Sequence, residues 1–306
     1  MAELCILGTV GTIPRVDRYL SSALLRHDGH IILFDCGEGT QLAIKKAGFS
    51  FKSIDVICLS HLHADHVTGL CGLLLTMGNE GRCSPVTIIT VKGGTQILRS
   101  LLCVAELAFE LDVIEVVEAD PCKSVTELCD GRVQIFAAQA AHSVPCLAFS
   151  VYIRRDGKFD PQKARELGIP IKLWNELRRN GSIVCNGKEY VYTEVMGGER
   201  QGIKVSYITD TRPVPALSAL AENSDLLICE GMFGDPEKQD RAEKSGHMTF
   251  AEAATLAKCA KCEQLVLSHF SPSMPEPEEY LSYATDIFAN TVCGVDGMNF
   301  SINFKD

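Results

Sequence analysis

One stretch decides the fold: Ser60-His61-Leu62-His63-Ala64-Asp65-His66, with three imidazoles and a carboxylate in six consecutive positions. It follows an apolar run at 54–59 that predicts a buried strand, and it precedes a run at 68–75 that predicts a helix. Imidazole nitrogens and carboxylate oxygens are ligands for zinc and similar divalent ions. The spacing predicts two neighbouring metals, since His61 and His63 alternate as on a strand whereas Asp65 and His66 lie past the bend. Solvated loop histidines are the alternative, and this spacing disfavours them.

Three further polar residues each follow an apolar run directly: His142, Asp210 and His269. Polar residues at the carboxyl ends of strands build the sites of open α/β sheets, so these three are candidate ligands of the same centre. Taken singly, each has another explanation. Either histidine is compatible with a buried core residue whose ring nitrogens are hydrogen-bonded within the protein. Asp210 is compatible with the cap of a helix that starts near Pro213.

Strand-like and helix-like runs alternate along the chain, which predicts a four-layer αβ/βα sandwich. We expect a single domain over residues 1–306, because no linker interrupts the pattern. The compositional shift at 154–181 indicates a basic, helix-forming arm inserted into that domain. The predicted last helix covers 276–288 and the predicted last strand covers 297–304.

Composition narrows the class of protein. The chain has 306 residues, of which 46% are apolar, and it contains no run of eighteen apolar residues, so no membrane span is expected. Its 14 cysteines are dispersed, and the first residues lack the features of a signal peptide, which favours buried thiols in the cytoplasm. The net charge of −10 disfavours a non-specific nucleic-acid coat protein.

The charge is unevenly distributed. Residues 154–179 contain eight basic and four acidic residues, a local excess of +4 on a chain that is otherwise −14. A basic projection on an acidic body can still bind a polyanion. The alternative is an ordinary solvated helix face.

Several motifs resemble those of the metallo-β-lactamase superfamily and, within it, the ribonuclease Z (tRNA 3′-processing endonuclease) family. Residues 7–14 resemble its opening Gly-Thr-Gly-x-x-x-Pro loop, and residues 34–41 match Phe-Asp-Cys-Gly-Glu-x-Thr-Gln. Residues 60–66 match the superfamily's metal motif. Residues 159–170 resemble a Pro-x-Lys-Ala-Arg-x-Leu-Gly-x-Pro stretch typical of ribonuclease Z.

The resemblance implies a hydrolase with two zinc ions per subunit, with manganese as an alternative metal. It implies cleavage of the 3′ trailer of precursor tRNA by a metal-activated hydroxide. It also implies a homodimer in which the arm of one subunit holds tRNA at the site of the other. The implied ligands are His61, His63 and His142 for one metal, Asp65, His66 and His269 for the second, and Asp210 as a bridge.

Two more residues match positions of the family near the reaction. The resemblance implies that His247 protonates the leaving 3′ oxygen or stabilises the pentacoordinate phosphate, and that Glu230 orients it. A surface histidine before a helix cap is the alternative for His247. The candidate catalytic residues are therefore Asp65, His247 and Glu230. The resemblance also implies that the basic arm contacts tRNA through Arg154, Arg155, Lys163 and Arg165.

The chain departs from the family pattern at substrate-facing positions. Ser273 stands where the motif Thr-His-x-Ser-x-Arg has its arginine, and Ile171 follows Pro170 where the family has Gly-Pro. These departures leave a second hypothesis, a metal-dependent hydrolase of a small phosphate ester such as a cyclic nucleotide. A non-catalytic scaffold is disfavoured because all seven ligand positions are filled. A β-lactam or thioester hydrolase is disfavoured by Asp65 and the 34–41 motif.

Overall fold

The computed structural model describes residues 1–198 and 200–305, and its internal contacts divide it into two compact units. The first unit comprises Met1–Tyr152 and Ile203–Asn303. The second comprises Ile153–Gly202 together with Phe304 and Lys305. The second unit contains the basic segment 154–181 and continues beyond it. Within the described residues, no helix is long and apolar enough to cross a membrane.

One seven-stranded sheet is built mainly from the first half of the chain. Counted along the chain, the first three strands and the last strand pair antiparallel with one another. The third to sixth strands pair with one another in parallel. Apolar β-branched residues dominate the parallel strands, as expected for strands that are covered on both faces. In sheet order, the strands are Asn299–Ile302 (β16), Ala2–Gly8 (β1), Ser22–His27 (β2), His30–Phe34 (β3), Ile54–Cys58 (β4), Val86–Val91 (β5) and Leu111–Val116 (β6).

A second seven-stranded sheet is built from the later strands. Four of its strands, β12 to β15, run in parallel, so their carboxyl ends share one edge of the sheet. In sheet order, the strands are Thr291–Cys293 (β15), Leu265–Ser268 (β14), Leu226–Glu230 (β13), Arg200–Ile208 (β12), Cys146–Arg155 (β9), Val133–Ala140 (β8) and Ser124–Leu128 (β7).

Helices pack on one face of each sheet, and the two sheets face each other. Leu33 of β3 lies in a buried cluster with the helices of the first sheet, while its neighbour Phe34 points the other way and stacks on Tyr207 of the second sheet, with ring centroids 5.1 Å apart. The predicted four-layer sandwich is therefore confirmed. The helices on the first sheet are Thr40–Ala47 (α1), Leu70–Asn79 (α3) and Gly94–Leu101 (α4); those on the second are Pro215–Ala221 (α7), Phe250–Cys259 (α9) and Ser282–Thr285 (α10).

The C-terminal region differs from the prediction. A continuous helix over 276–288 is wrong: a 3-10 turn at Pro277–Tyr280 precedes the short α10. The residue before a proline is disfavoured in the helical region of the backbone, so the turn begins at Pro277 and Glu276 stays outside it. The last strand, β16, is shorter than predicted. The strands β7 and β15 have no counterpart in the sequence prediction.

The second unit has a small apolar core of its own, centred on Phe159, Leu177 and Tyr190. Asp160 caps its first helix by accepting hydrogen bonds from the backbone N–H groups of Gln162 and Lys163. The unit contains the helices Pro161–Glu166 (α5) and Trp174–Asn180 (α6) and the antiparallel hairpin of Ser182–Cys185 (β10) and Lys188–Val191 (β11). Two short helices remain in the first unit, Ala64–Val67 (α2) and Gln239–Ser245 (α8).

Candidate metal centre

The predicted ligands converge in the first unit, at the carboxyl ends of its strands. Asp210 follows β12 and His269 follows β14. His61 and His63 lie in the loop between β4 and α2, while Asp65 and His66 lie in α2. Three residues of the site have left-handed backbone: Asp35 at φ 55°, Asp210 at φ 43° and His269 at φ 56°. Such angles are uncommon outside glycine and cluster at functional sites, since they turn the chain sharply at the end of a strand.

One group of donors contains His61, His63, His142 and Asp210. One possible ligand atom of each lies within 4.8 Å of the others. Nε2 of His61 is 2.9 Å from Nδ1 of His63 and 3.7 Å from Oδ2 of Asp210. Nε2 of His142 is 3.9 Å from the same oxygen. Three nitrogens and one oxygen at this spacing form a donor set suited to zinc.

A second group contains Asp65, His66 and His269, whose ligand atoms also lie within 4.8 Å of one another. Oδ2 of Asp65 is 3.4 Å from Nε2 of His66 and 3.8 Å from Nε2 of His269. The other oxygen of Asp210, Oδ1, lies 3.5 Å from Nε2 of His66 and 3.0 Å from Nε2 of His269. The two oxygens of Asp210 thus face the two donor groups separately.

The buried nitrogens of the site fit a cation. Nε2 of His66 and both ring nitrogens of His269 are buried without a hydrogen-bond partner among the residues that the structure describes, although the Asp210 oxygen lies nearby. Buried polar atoms normally have a partner, so these atoms are suited to ligating a metal ion. Burial lowers the pKa of His61 to about 2, which leaves its ring neutral and able to donate a lone pair.

The carboxylates of the centre are ionised. Burial opposes the charge of Asp210, but the neighbouring His269 and His66 outweigh it and hold the pKa of Asp210 well below its usual range. Burial likewise opposes the charge of Asp65, and the neighbouring His269 and His66 outweigh it and lower its pKa. Metal ligands must be deprotonated, so both side chains are in the form that binds a cation.

Asp35 supports the centre, although sequence reasoning did not select it as a site residue. Its buried carboxylate accepts hydrogen bonds from the N–H of Ser60 at 2.8 Å, from Oγ of Ser60 at 2.9 Å and from the Tyr207 hydroxyl at 3.0 Å. It also accepts from Nδ1 of His66 at 2.8 Å, which turns Nε2 toward the second donor group. The signal was present in the 34–41 motif, where Asp35 directly follows a buried strand.

His247 lies beside both donor groups. Its ring centroid is 5.0 Å from that of His142 and 5.5 Å from that of His269. Its Nδ1 lies 3.2 and 3.3 Å from the two carboxylate oxygens of Glu230. Burial lowers the pKa of His247, but the charge of Glu230 outweighs burial and raises it overall. His247 also satisfies the distances of a possible ligand with Asp210 and His269.

The backbone around His247 is held by a network that sequence reasoning missed. Arg212 donates to the carbonyl oxygen of His247 and pairs with Glu252. Glu252 and Thr249 form a capping box at the start of α9. The sequence predicts the helix cap at Thr249, and the Thr-Phe-Ala-Glu sequence at 249–252 is the signal for Glu252 as its partner.

The four predicted tRNA-contacting residues lie in the second unit, outside both donor groups. Nζ of Lys163 donates to the carbonyl oxygen of Met196 at 2.7 Å. The guanidinium of Arg165 lies 5.8 Å from the ring centroid of Trp174, and that of Arg155 lies 5.2 Å from the ring centroid of Phe304. Like Arg155, Arg154 belongs to the last residues of β9.

Fold and site together define the class of protein. The chain forms a helix–sheet–sheet–helix sandwich with clustered His and Asp side chains at its strand ends. It is therefore a metal-dependent hydrolase of the metallo-β-lactamase fold. Residues 191–270 match the family described as Beta-lactamase superfamily domain, and residues 2–110 match the family described as Anti-Pycsar protein Apyc1.

Relatives over the full length give the family. The chain is 46% identical to Ribonuclease Z of Clostridium acetobutylicum, covering 100% of both chains. It is 44% identical to Ribonuclease Z of Lachnospira eligens, covering 100% of this chain and 99% of that one. The crystal structure of human tRNase Z, short form, superposes with a TM-score of 0.71 at 26% identity, covering 99% of this chain and 100% of the human one. The chain belongs to the ribonuclease Z family.

Proposed function

We propose that this protein is an endoribonuclease that removes the 3′ trailer of precursor tRNA with two zinc ions per subunit, manganese being an alternative. The observation that carries the proposal is the position of Asp210, whose two oxygens face two separate donor groups. When bound, the metals would supply positive charge to the phosphate oxygens and an acidified water as the nucleophile. The identity of the full-length relatives supports RNA as the substrate.

Each donor group has a defined part in this proposal. Asp210 is shared, and Asp65 both contributes a ligand oxygen and is held in place by the backbone N–H of Thr12 at 2.7 Å. His61, His63 and His142 would hold one metal, and Asp65, His66 and His269 would hold the other.

His247 is proposed as the general acid. Since its Nδ1 faces Glu230, its Nε2 is the atom left to donate a proton to the leaving 3′ oxygen. Glu230 also accepts hydrogen bonds from the backbone N–H of Met248 at 3.0 Å and from that of Thr211. These contacts fix the carboxylate, so that it orients the imidazole and stabilises its protonated form.

The basic arm is proposed to hold the tRNA, and a homodimer is proposed as the functional form. Phosphate contacts from Lys and Arg supply affinity that does not depend on sequence, which suits a substrate recognised by shape. The contacts are assigned to Arg154, Arg155, Lys163 and Arg165.

A small phosphodiester such as a cyclic nucleotide is the second candidate substrate. It is favoured by the departures at Ser273 and Ile171, which alter substrate-facing positions and leave all seven proposed ligands in place. The two candidates share the metal centre and differ in whether the protein accepts a folded RNA.

Two substrates, each with and without a chelator, test the proposal. We expect the purified protein to cleave a 3′-extended tRNA and bis(p-nitrophenyl) phosphate, and the chelator to abolish both reactions. Hydrolysis of the small ester without cleavage of the tRNA would favour the second candidate.

Neutralising the four arm residues should abolish tRNA cleavage and spare the small ester. A matched control neutralises four exposed basic residues of the first unit: Lys45, Lys46, Lys92 and Arg99.

A further inference from the structure

A cavity of about 350 Å³ lies beside the metal centre in the first unit. Its volume is within the range of small-molecule sites. Two of its lining residues adjoin the centre: His247 directly, and Thr12 through its backbone hydrogen bond to Asp65. The lining of the cavity includes Thr12, Phe233, Arg241, His247, Ser271 and Ser273.

Arg241 places a cation at this cavity. It projects from α8, and its guanidinium carbon lies 5.6 Å from the ring centroid of Phe233. The ring is almost fully buried, and the backbone of Phe233 is bound on both sides, by Met248 and Phe250. Phe233 therefore gives the guanidinium a fixed apolar support while leaving its hydrogen-bond donors available.

The guanidinium of Arg241 has no carboxylate partner among residues 1–198 and 200–305. Arg212, by contrast, is paired with Glu252, and Arg15 is paired with Asp17. Arg241 is also the single arginine lining the cavity in that part of the chain. An arginine whose five donors lack a carboxylate partner in the described part of the chain is suited to binding a phosphate.

The lining of the cavity also carries hydroxyl groups. Oγ of Ser271 and Oγ of Ser273 are 2.8 Å apart. Ser273 stands where the resembled motif has arginine, so the lining residues Ser271, Pro272 and Ser273 carry no charge. The cation of the cavity comes instead from a different element, α8.

We infer that Arg241, supported by Phe233, binds an RNA phosphate adjacent to the one that is cleaved. This inference rests on the proposed function, since it needs a substrate with more than one phosphate near the centre. The small ester bis(p-nitrophenyl) phosphate has a single phosphate and cannot use this subsite. Arg241 therefore contributes to the choice between RNA and a small phosphodiester.

The test compares R241A, R241K and a control, K244A, an exposed lysine three residues further along the same helix that does not line the cavity. R241A should lower kcat/KM for a 3′-extended tRNA by about tenfold to a hundredfold, the range of charge-assisted hydrogen bonds. R241K should fall between R241A and wild type, because lysine keeps the charge but loses the bidentate geometry. Turnover of bis(p-nitrophenyl) phosphate should stay unchanged in all three variants.

Salt dependence provides a second measurement. The affinity of chelator-treated protein for tRNA is measured at several salt concentrations. The slope of log affinity against log salt concentration should be smaller in magnitude by about 0.7–0.9 in R241A than in wild type, as expected for the loss of one phosphate contact. An unchanged slope with unchanged tRNA cleavage would overturn the subsite alone, as would equal losses in R241A and K244A. Loss of small-ester turnover in R241A would also overturn it, by revealing general damage to the site. Wild-type protein that leaves tRNA intact would overturn the proposed function together with the subsite.

Discussion

Asp35→Asn is the most informative single change outside the proposed ligands. Asp35 accepts four hydrogen bonds with its two oxygens, from two atoms of Ser60, from Tyr207 and from Nδ1 of His66. Asparagine keeps one of those oxygens, removes the charge and turns an amide donor toward groups that are themselves donors. The substitution therefore loosens His66 without touching a proposed ligand atom.

The expected magnitude follows from these contacts. Removing the carboxylate behind a ligating histidine weakens metal binding by about 10–100-fold. Leaving one buried donor unsatisfied costs about 1–3 kcal/mol of folding stability. We therefore expect zinc affinity to fall by one to two orders of magnitude, with a melting temperature lower by several degrees.

Competition with a chromogenic chelator would measure the zinc affinity, and thermal melting in chelator would measure stability of the metal-free protein. Asp55→Asn is the matched control. Like Asp35, Asp55 pairs with a histidine, His30, and it also pairs with Arg82. It lies at the start of β4, away from the centre. Wild-type zinc affinity in Asp35→Asn, or an equal loss in the control, would refute the reasoning.

Three further predictions concern catalysis, metal and stability. His247→Ala should lower kcat on tRNA by about 10²–10⁴-fold at unchanged metal content; an unaltered rate would exclude its role as the acid. Chelation should lower the melting temperature, and added Zn²⁺ should restore it, because a metal bound to the folded state stabilises that state; identical melting curves would contradict the site. Phe250→Ala should cost about 3–5 kcal/mol in urea unfolding, since Phe250 is fully buried; the exposed Tyr283→Ala serves as control, and equal losses would refute the packing argument.

Strongly patterned elements could be predicted from the sequence, whereas weakly patterned ones could not. Apolar runs in the sequence mark the helix Phe250–Cys259 and the strand Leu265–Ser268, and Thr249 caps the start of that helix. The strand Ser124–Leu128 is half-exposed and polar at the edge of its sheet, so its residues show no clear alternation. The three residues of Thr291–Cys293 are too few for any period.

The residues of the candidate site were predictable to different degrees. The proposed ligands follow buried strands, and the structure gathers all seven into two neighbouring donor groups; that they bind metal stays a prediction. The role of Asp35 depends on Tyr207, which is 172 positions away along the chain. No local pattern reports such a contact. The cavity at Arg241 likewise forms only when α8 and the loop after β14 fold together.

The left-handed backbone at Asp210 and His269 limits how this centre can evolve. Among residues with a metal-binding side chain, aspartate and histidine are several-fold enriched at such angles, and a bulky or β-branched residue there is an outlier. An exchange for another donor must therefore satisfy the backbone as well as the metal. Replacing either ligand would disturb both the backbone conformation and the metal coordination. Selection for a different metal would therefore act more readily on the surrounding residues.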